Sequence, residues 1–79
     1  MMLVRFYERP GCHLCADALA VVEREVDAAP SAHLERIDID TAPDLVARYG
    51  EFVPVVEIDG EPHSHWFVDA VRLRDALGA

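Results

Sequence analysis

Cys12 and Cys15 stand three positions apart and are the only two cysteines in this 79-residue chain. A thiolate is both a nucleophile and a metal ligand, so the pair offers thiol–disulfide exchange or metal binding. It is a poor structural staple, because closing so short a loop removes little entropy from the unfolded chain. In a reducing compartment such a bridge would also tend to open. Position adds to spacing: Cys12 falls where a strand pattern ends and a helix pattern begins. Unpaired backbone N–H groups and the positive end of the helix dipole favour a thiolate there. Cys15 lies one turn further along the same side. Cys12 is therefore expected to be the nucleophile, with Cys15 resolving the mixed disulfide formed on it.

Residues around the pair fit this chemistry. Arg9 adds positive potential three positions before Cys12. Gly11 permits close backbone approach by a partner. A protonated His13 would further favour the thiolate and make the disulfide more oxidising. Each has a plainer reading: two coincidental core cysteines, a solvated loop arginine, a polar residue at a helix start. A zinc site would need two more ligands. His63 and His65 share one face of a strand, but nothing in the sequence brings them to Cys12, so an edge-strand surface is the simpler reading. Pro54 opens a strand after a helix and loop. As a bare residue it reads as an ordinary trans proline. A cis Val53–Pro54 bond would instead turn the backbone of Val53 towards the thiols, where its N–H and C=O could pair with an extended substrate.

The elements that must position these residues follow from apolar periodicity. Residues 2–7 read as a buried strand and Glu8-Arg9-Pro10-Gly11 as a loop. A helix is expected from His13 to about Ala28, with Leu14, Ala18, Val22 and Val26 inward. His33 to Ile39 alternates as a strand. A second helix follows, with Asp40 or Thr41 as N-cap, Pro43 in the first turn, Leu45, Val46 and Tyr49 inward, and Gly50 as its stop. Val53–Ile58 and Glu61–Trp66 read as a hairpin about Asp59-Gly60, with Pro62 marking an edge. Asp69–Leu77 is a last short helix, with Val71, Leu73 and Leu77 buried and Gly78 ending it. The expected fold is α/β in the order βαβαββα: one domain over residues 1–79, with a four-stranded mixed sheet and helices on both faces.

Composition bounds the partners. Fifteen acidic against seven basic residues give a net charge of −8, which argues against nucleic acid and anionic membranes. No apolar run nears the roughly 20 residues of a membrane span. The N-terminus reads as a strand rather than a signal peptide, so a cytoplasmic protein is expected. No long apolar stripe is left over, so a monomer is expected.

Tyr7-Glu8-Arg9-Pro10-Gly11-Cys12-His13-Leu14-Cys15, the Phe52-Val53-Pro54 segment and the element order together resemble a glutaredoxin-like protein, over essentially the whole chain. The resemblance implies the thioredoxin fold, with its sheet flanked by three helices, a Cys-x-x-Cys active site and a cis Val53–Pro54 facing it. It implies electron transport by thiol–disulfide exchange. The expected substrate is a disulfide-bearing protein or a small thiol, and a thioredoxin-reductase-type enzyme is a candidate reductant. No bound cofactor is implied, and glutathione enters as a candidate co-substrate. Arg9 stands where glutaredoxins often carry Lys, and Phe52 replaces the Thr of their Thr-Val-Pro. The Gly-Gly pair that holds glutathione is absent, and of His65-Trp66-Phe67-Val68-Asp69 only Asp69 matches a glutathione-holding position. The Trp-Cys-Gly-Pro-Cys of thioredoxins is also absent, and Phe6 stands where they bury an Asp. The rivals from other classes are a small metal-binding module built on Cys12 and Cys15, and a redox-inert interaction domain.

Overall fold

The first strand, β1 (Met2–Glu8), holds the centre of the molecule because both of its faces are apolar: Val4 and Phe6 point one way and Tyr7 the other, all buried. The structure, a computed structural model, describes residues 1–78. After β1 come α1 (His13–Asp27), β2 (Ala32–Asp38), a single 3-10 turn (Ile39–Thr41), α2 (Pro43–Tyr49), β3 (Val55–Ile58), β4 (Glu61–His65) and α3 (Ala70–Ala76). The sheet order is β2-β1-β3-β4. β1 runs parallel to β2 and antiparallel to β3, and β3 is antiparallel to β4. The helix-linked pair is parallel and the hairpin pair antiparallel, as those connections require. β4, which carries Pro62, lies at the sheet edge, where a missing N–H does no harm.

The alternating faces of the strands make two cores. Val4, Phe6 and Val56 pack under α1 and α3 through Cys15, Ala18, Val22, Val26, Leu73 and Leu77. Tyr7 and Val55 pack under the 3-10 turn and α2 through Ile39 and Tyr49, with Leu45 and Val46 half-buried around them.

Several local expectations are corrected. The inward stripe of α1 is Cys15, Ala18, Val22, Glu25 and Val26, while Leu14 is only half-buried. A strict four-residue spacing drifts around a helix of 3.6 residues per turn, which moves Leu14 off the stripe. Val71 is 58 % exposed. From α3 and its C-cap, among the described residues, Leu73 and Leu77, four apart, reach the core, and Val71 lies roughly 200° around the axis from Leu73. Asp38, not Asp40 or Thr41, caps the 3-10 turn by accepting from the Asp40 N–H at 2.9 Å, and Ala42 precedes α2. Gly50 does end α2, but in right-handed geometry. A Cβ there would sit 2.5 Å from the Val46 carbonyl oxygen, so close approach calls for the glycine. β3 begins at Val55 rather than Val53, and β4 ends at His65 rather than Trp66.

Glu25 is buried on the stripe of α1, where Arg74 of α3 clamps it with two hydrogen bonds, 2.8 and 3.0 Å long. The guanidinium holds the Glu25 carboxyl below its ordinary value of 4.5. Folding therefore favours the ionised form. That contribution is present above pH 4.5 and is lost as pH falls through the depressed value. Arg74→Ala is expected to lower the thermal midpoint at neutral pH and to flatten its decline in acid. Circular-dichroism melts of both proteins across the acid range check this.

Candidate redox site

The turn between β1 and α1 builds the site. Gly11 takes φ +80, where a side chain is strained, although the space beside it is open. That turn brings the Cys12 N–H to the Arg9 carbonyl at 3.4 Å and delivers Cys12 to the N-cap of α1 in extended geometry. No acidic residue occupies the first turn of α1. No carboxylate of that turn therefore opposes the helix dipole there. Cys12 is half-buried and Cys15, one turn along, is 5 % exposed. The two sulfurs lie within disulfide-bonding distance, with Cα atoms 5.4 Å apart, inside the range a disulfide accepts.

Cys12 opens onto a cavity of about 330 Å³ whose walls include Arg9, Gly11, His13, Glu51, Val53 and Trp66. Four of the residues singled out from the sequence beside Cys12 (Arg9, Gly11, His13 and Val53) are thus brought together around it. Arg9 is already engaged: one guanidinium nitrogen lies 2.7 Å from Asp40 Oδ1 and another donates to the Gly50 carbonyl at 3.3 Å. It ties the loop to the 3-10 turn and to the end of α2, and its charge is paired with Asp40. The Val53–Pro54 bond is cis. Pro54 itself is fully buried and does not line the cavity, so contact there falls to Val53. Among the described residues, neither the N–H nor the C=O of Val53 has a backbone partner.

Sequence reasoning missed Trp66 and Glu51, which also line the cavity. The available signal was an aromatic pair, Trp66-Phe67, directly after a polar edge strand. Trp66 takes φ +63, rare for a bulky residue. Asp69, the one match to a glutathione-holding position, accepts from the Val71 and Arg72 N–H groups at 2.9 and 3.1 Å and caps α3. His63 and His65 line a different cavity of about 340 Å³ with Arg48, Tyr49 and Phe52, away from both thiols. Among the described residues, no three His, Cys, Asp or Glu side chains cluster to hold a metal ion.

A four-stranded mixed sheet in this order, with a Cys-x-x-Cys pair opening the first helix, defines a thioredoxin-fold protein. The comparisons agree. The chain is similar to chloroplastic thioredoxin z (17 % identity, TM-score 0.80, covering 99 % of this chain and 76 % of that one). It is also similar to protein XcR50 from X. campestris (32 % identity, TM-score 0.75, covering 95 % of each chain). An uncharacterized protein of Mycobacterium tuberculosis is 38 % identical over 79 residues, covering 90 % of this chain and 77 % of that one. The family model for the glutaredoxin-like domain (DUF836) matches residues 3–78, and the chain belongs to that family. Fold and cysteine pair together support a redox-type function, with disulfide-bearing proteins as the general class of partner. Among the described residues, no helix is long and apolar enough to cross a membrane.

Proposed function

We propose that the protein is a cytoplasmic thiol–disulfide oxidoreductase acting as a monomer through Cys12 and Cys15. The observation that carries this reading is the asymmetry of the pair: Cys12 is half-buried at the N-cap of a helix whose first turn holds no acidic residue, and Cys15 is 5 % exposed one turn behind it. In the reduced protein the Cys12 thiolate attacks one sulfur of the partner disulfide. The partner S–S bond breaks, and the departing thiolate takes up a proton. Cys15 gives up its proton and attacks Cys12 Sγ, expelling the second partner thiol. Two electrons pass to the partner, and the protein is left with the Cys12–Cys15 disulfide. A dithiol, glutathione or a thioredoxin-reductase-type enzyme returns them. The free N–H and C=O of Val53 pair with an extended partner strand, and His13, when protonated, favours the thiolate.

An intact-mass redox titration in glutathione buffers, with the thiols trapped in acid, tests the reading. The expected result is reversible loss of two hydrogens with one midpoint, which places the couple against the cytosolic poise. No reversible change over the whole range would overturn it.

A further inference from the structure

Trp66 is held in place more firmly than a surface residue needs to be. Its backbone sits at φ +63, a conformation bulky L residues rarely adopt. Its N–H donates to the Pro54 carbonyl and its indole Nε1–H to the Glu51 carbonyl, each at 2.9 Å. The ring lies edge-on to His65 at 4.9 Å between centroids and is stacked on Phe52 at 6.1 Å. A tryptophan fixed in this way for packing alone would be buried. Trp66 instead stays 44 % exposed and lines the Cys12 cavity. Strain retained at a half-exposed side chain beside a nucleophile points to function rather than stability.

The charges in the cavity say which partner fits. Arg9 is paired with Asp40, and Glu51 adds a negative charge. Among the described residues, His13 is the one other ionisable side chain besides the cysteine on the walls. A small disulfide carrying several carboxylates finds no unpaired arginine there. An apolar or aromatic side chain, uncharged or beside a basic residue, finds an indole face.

We propose that Trp66 is a specificity-determining platform that selects disulfides on polypeptide segments carrying an aromatic or long apolar side chain next to the cysteine, in preference to the anionic disulfide of glutathione. This rests on the exchange reading above.

The test compares the reduced protein on two short peptide disulfides, identical except for Phe or Ser beside the cysteine, and on oxidised glutathione. The expected preference for the Phe peptide in kcat/KM is about five- to tenfold, the worth of one aromatic contact, and it is carried by KM. Trp66→Gly, which suits φ +63, brings the two peptides together by raising KM for the Phe peptide more than for the Ser peptide. Trp66→Asn, also tolerant of that backbone, does the same and guards against a fold defect in the glycine variant. Trp66→Phe keeps most of the preference. The same peptides with Ser in place of Cys are titrated against fluorescence from Trp66, the one tryptophan in the chain. Tighter binding of the Phe version supports the platform even where no disulfide is reduced, and in that case only the exchange reading fails. A wild-type protein without preference, faster turnover of oxidised glutathione, or equal loss on both peptides in Trp66→Gly overturns the proposal.

Discussion

Cys12→Ser is expected to reduce disulfide exchange by roughly three orders of magnitude or more, as loss of a nucleophile does, whereas Cys15→Ser is expected to stall as a mixed disulfide with its partner. The two variants differ because the two thiols sit differently. Cys12 faces the cavity at the N-cap of α1. Cys15 is 5 % exposed in the core with Ala18 and Val22. Under the proposed exchange, a partner sulfur reaches Cys12 first, and Cys15 acts only within the protein, on Cys12. A serine hydroxyl at position 12 is almost never ionised at neutral pH and does not attack sulfur. A serine at position 15 leaves the first step intact and removes the second. Reduction rates on a peptide disulfide and intact masses after mixing measure both. Full activity in Cys12→Ser, or trapping by Cys12→Ser in place of Cys15→Ser, would reverse the assigned roles.

The parts of this fold that the sequence expresses locally were legible in it. The β1 run, the switch to helical periodicity at His13 and the Asp59-Gly60 turn each depend on a few neighbouring residues. They suffice to place Cys12 at a helix start and β4 at an edge. What stayed hidden depends on residues far apart in the chain. Glu25 reads as a solvated helix charge until Arg74, 49 positions on, is seen to clamp it. Glu57 looks like the polar member of an apolar run, yet two tyrosines cover it from 50 and 8 positions away. Arg9 looked like a free cation for the site because its sequence neighbours do not include Asp40, its partner from beyond β2. Trp66 joins the Cys12 wall only through the return of β4 alongside β3, which sets it opposite the Glu51 carbonyl. Pro54 alone reads as an ordinary trans proline, and only the family resemblance implied the cis bond; its side chain is core rather than cavity wall. Val71 was misplaced for the opposite reason: a short helix has a narrow buried stripe, and an apolar residue beside it need not be on it.

The largest stability effect is expected from Glu57→Ala. Glu57 is 4 % exposed. Its Oε1 accepts from the Tyr7 hydroxyl at 2.9 Å, and its Oε2 accepts from the Tyr49 hydroxyl. The three side chains join β1, β3 and the end of α2, directly before the Gly50–Glu51 segment of the Cys12 cavity. Removing the carboxylate leaves two buried hydroxyls without their acceptor, at about 1–3 kcal/mol each. A loss of roughly 3 kcal/mol is a large share of what so small a domain has. Glu57→Gln keeps one acceptor oxygen and is expected to lose less. The same arrangement gives the protein an alkaline limit. Burial first, then the hydrogen bond and negative charge of Glu57, push Tyr49 up from 10.0 to about 12 and raise Tyr7 as well; Arg5 beside Tyr7 and Arg48 beside Tyr49 pull the other way. The folded state thus holds these phenolic protons more tightly than the unfolded chain does. Their contribution is complete below pH 10 and is lost as pH rises towards about 12. Tyr49→Phe removes that titration, so its stability is expected to be lower at neutral pH but to fall less steeply in alkali. Urea unfolding at neutral and alkaline pH, with tyrosinate absorbance followed alongside, measures both slopes. Parallel alkaline declines in the wild type and Tyr49→Phe would mean that the loss arises elsewhere, with Tyr7 the next group to replace.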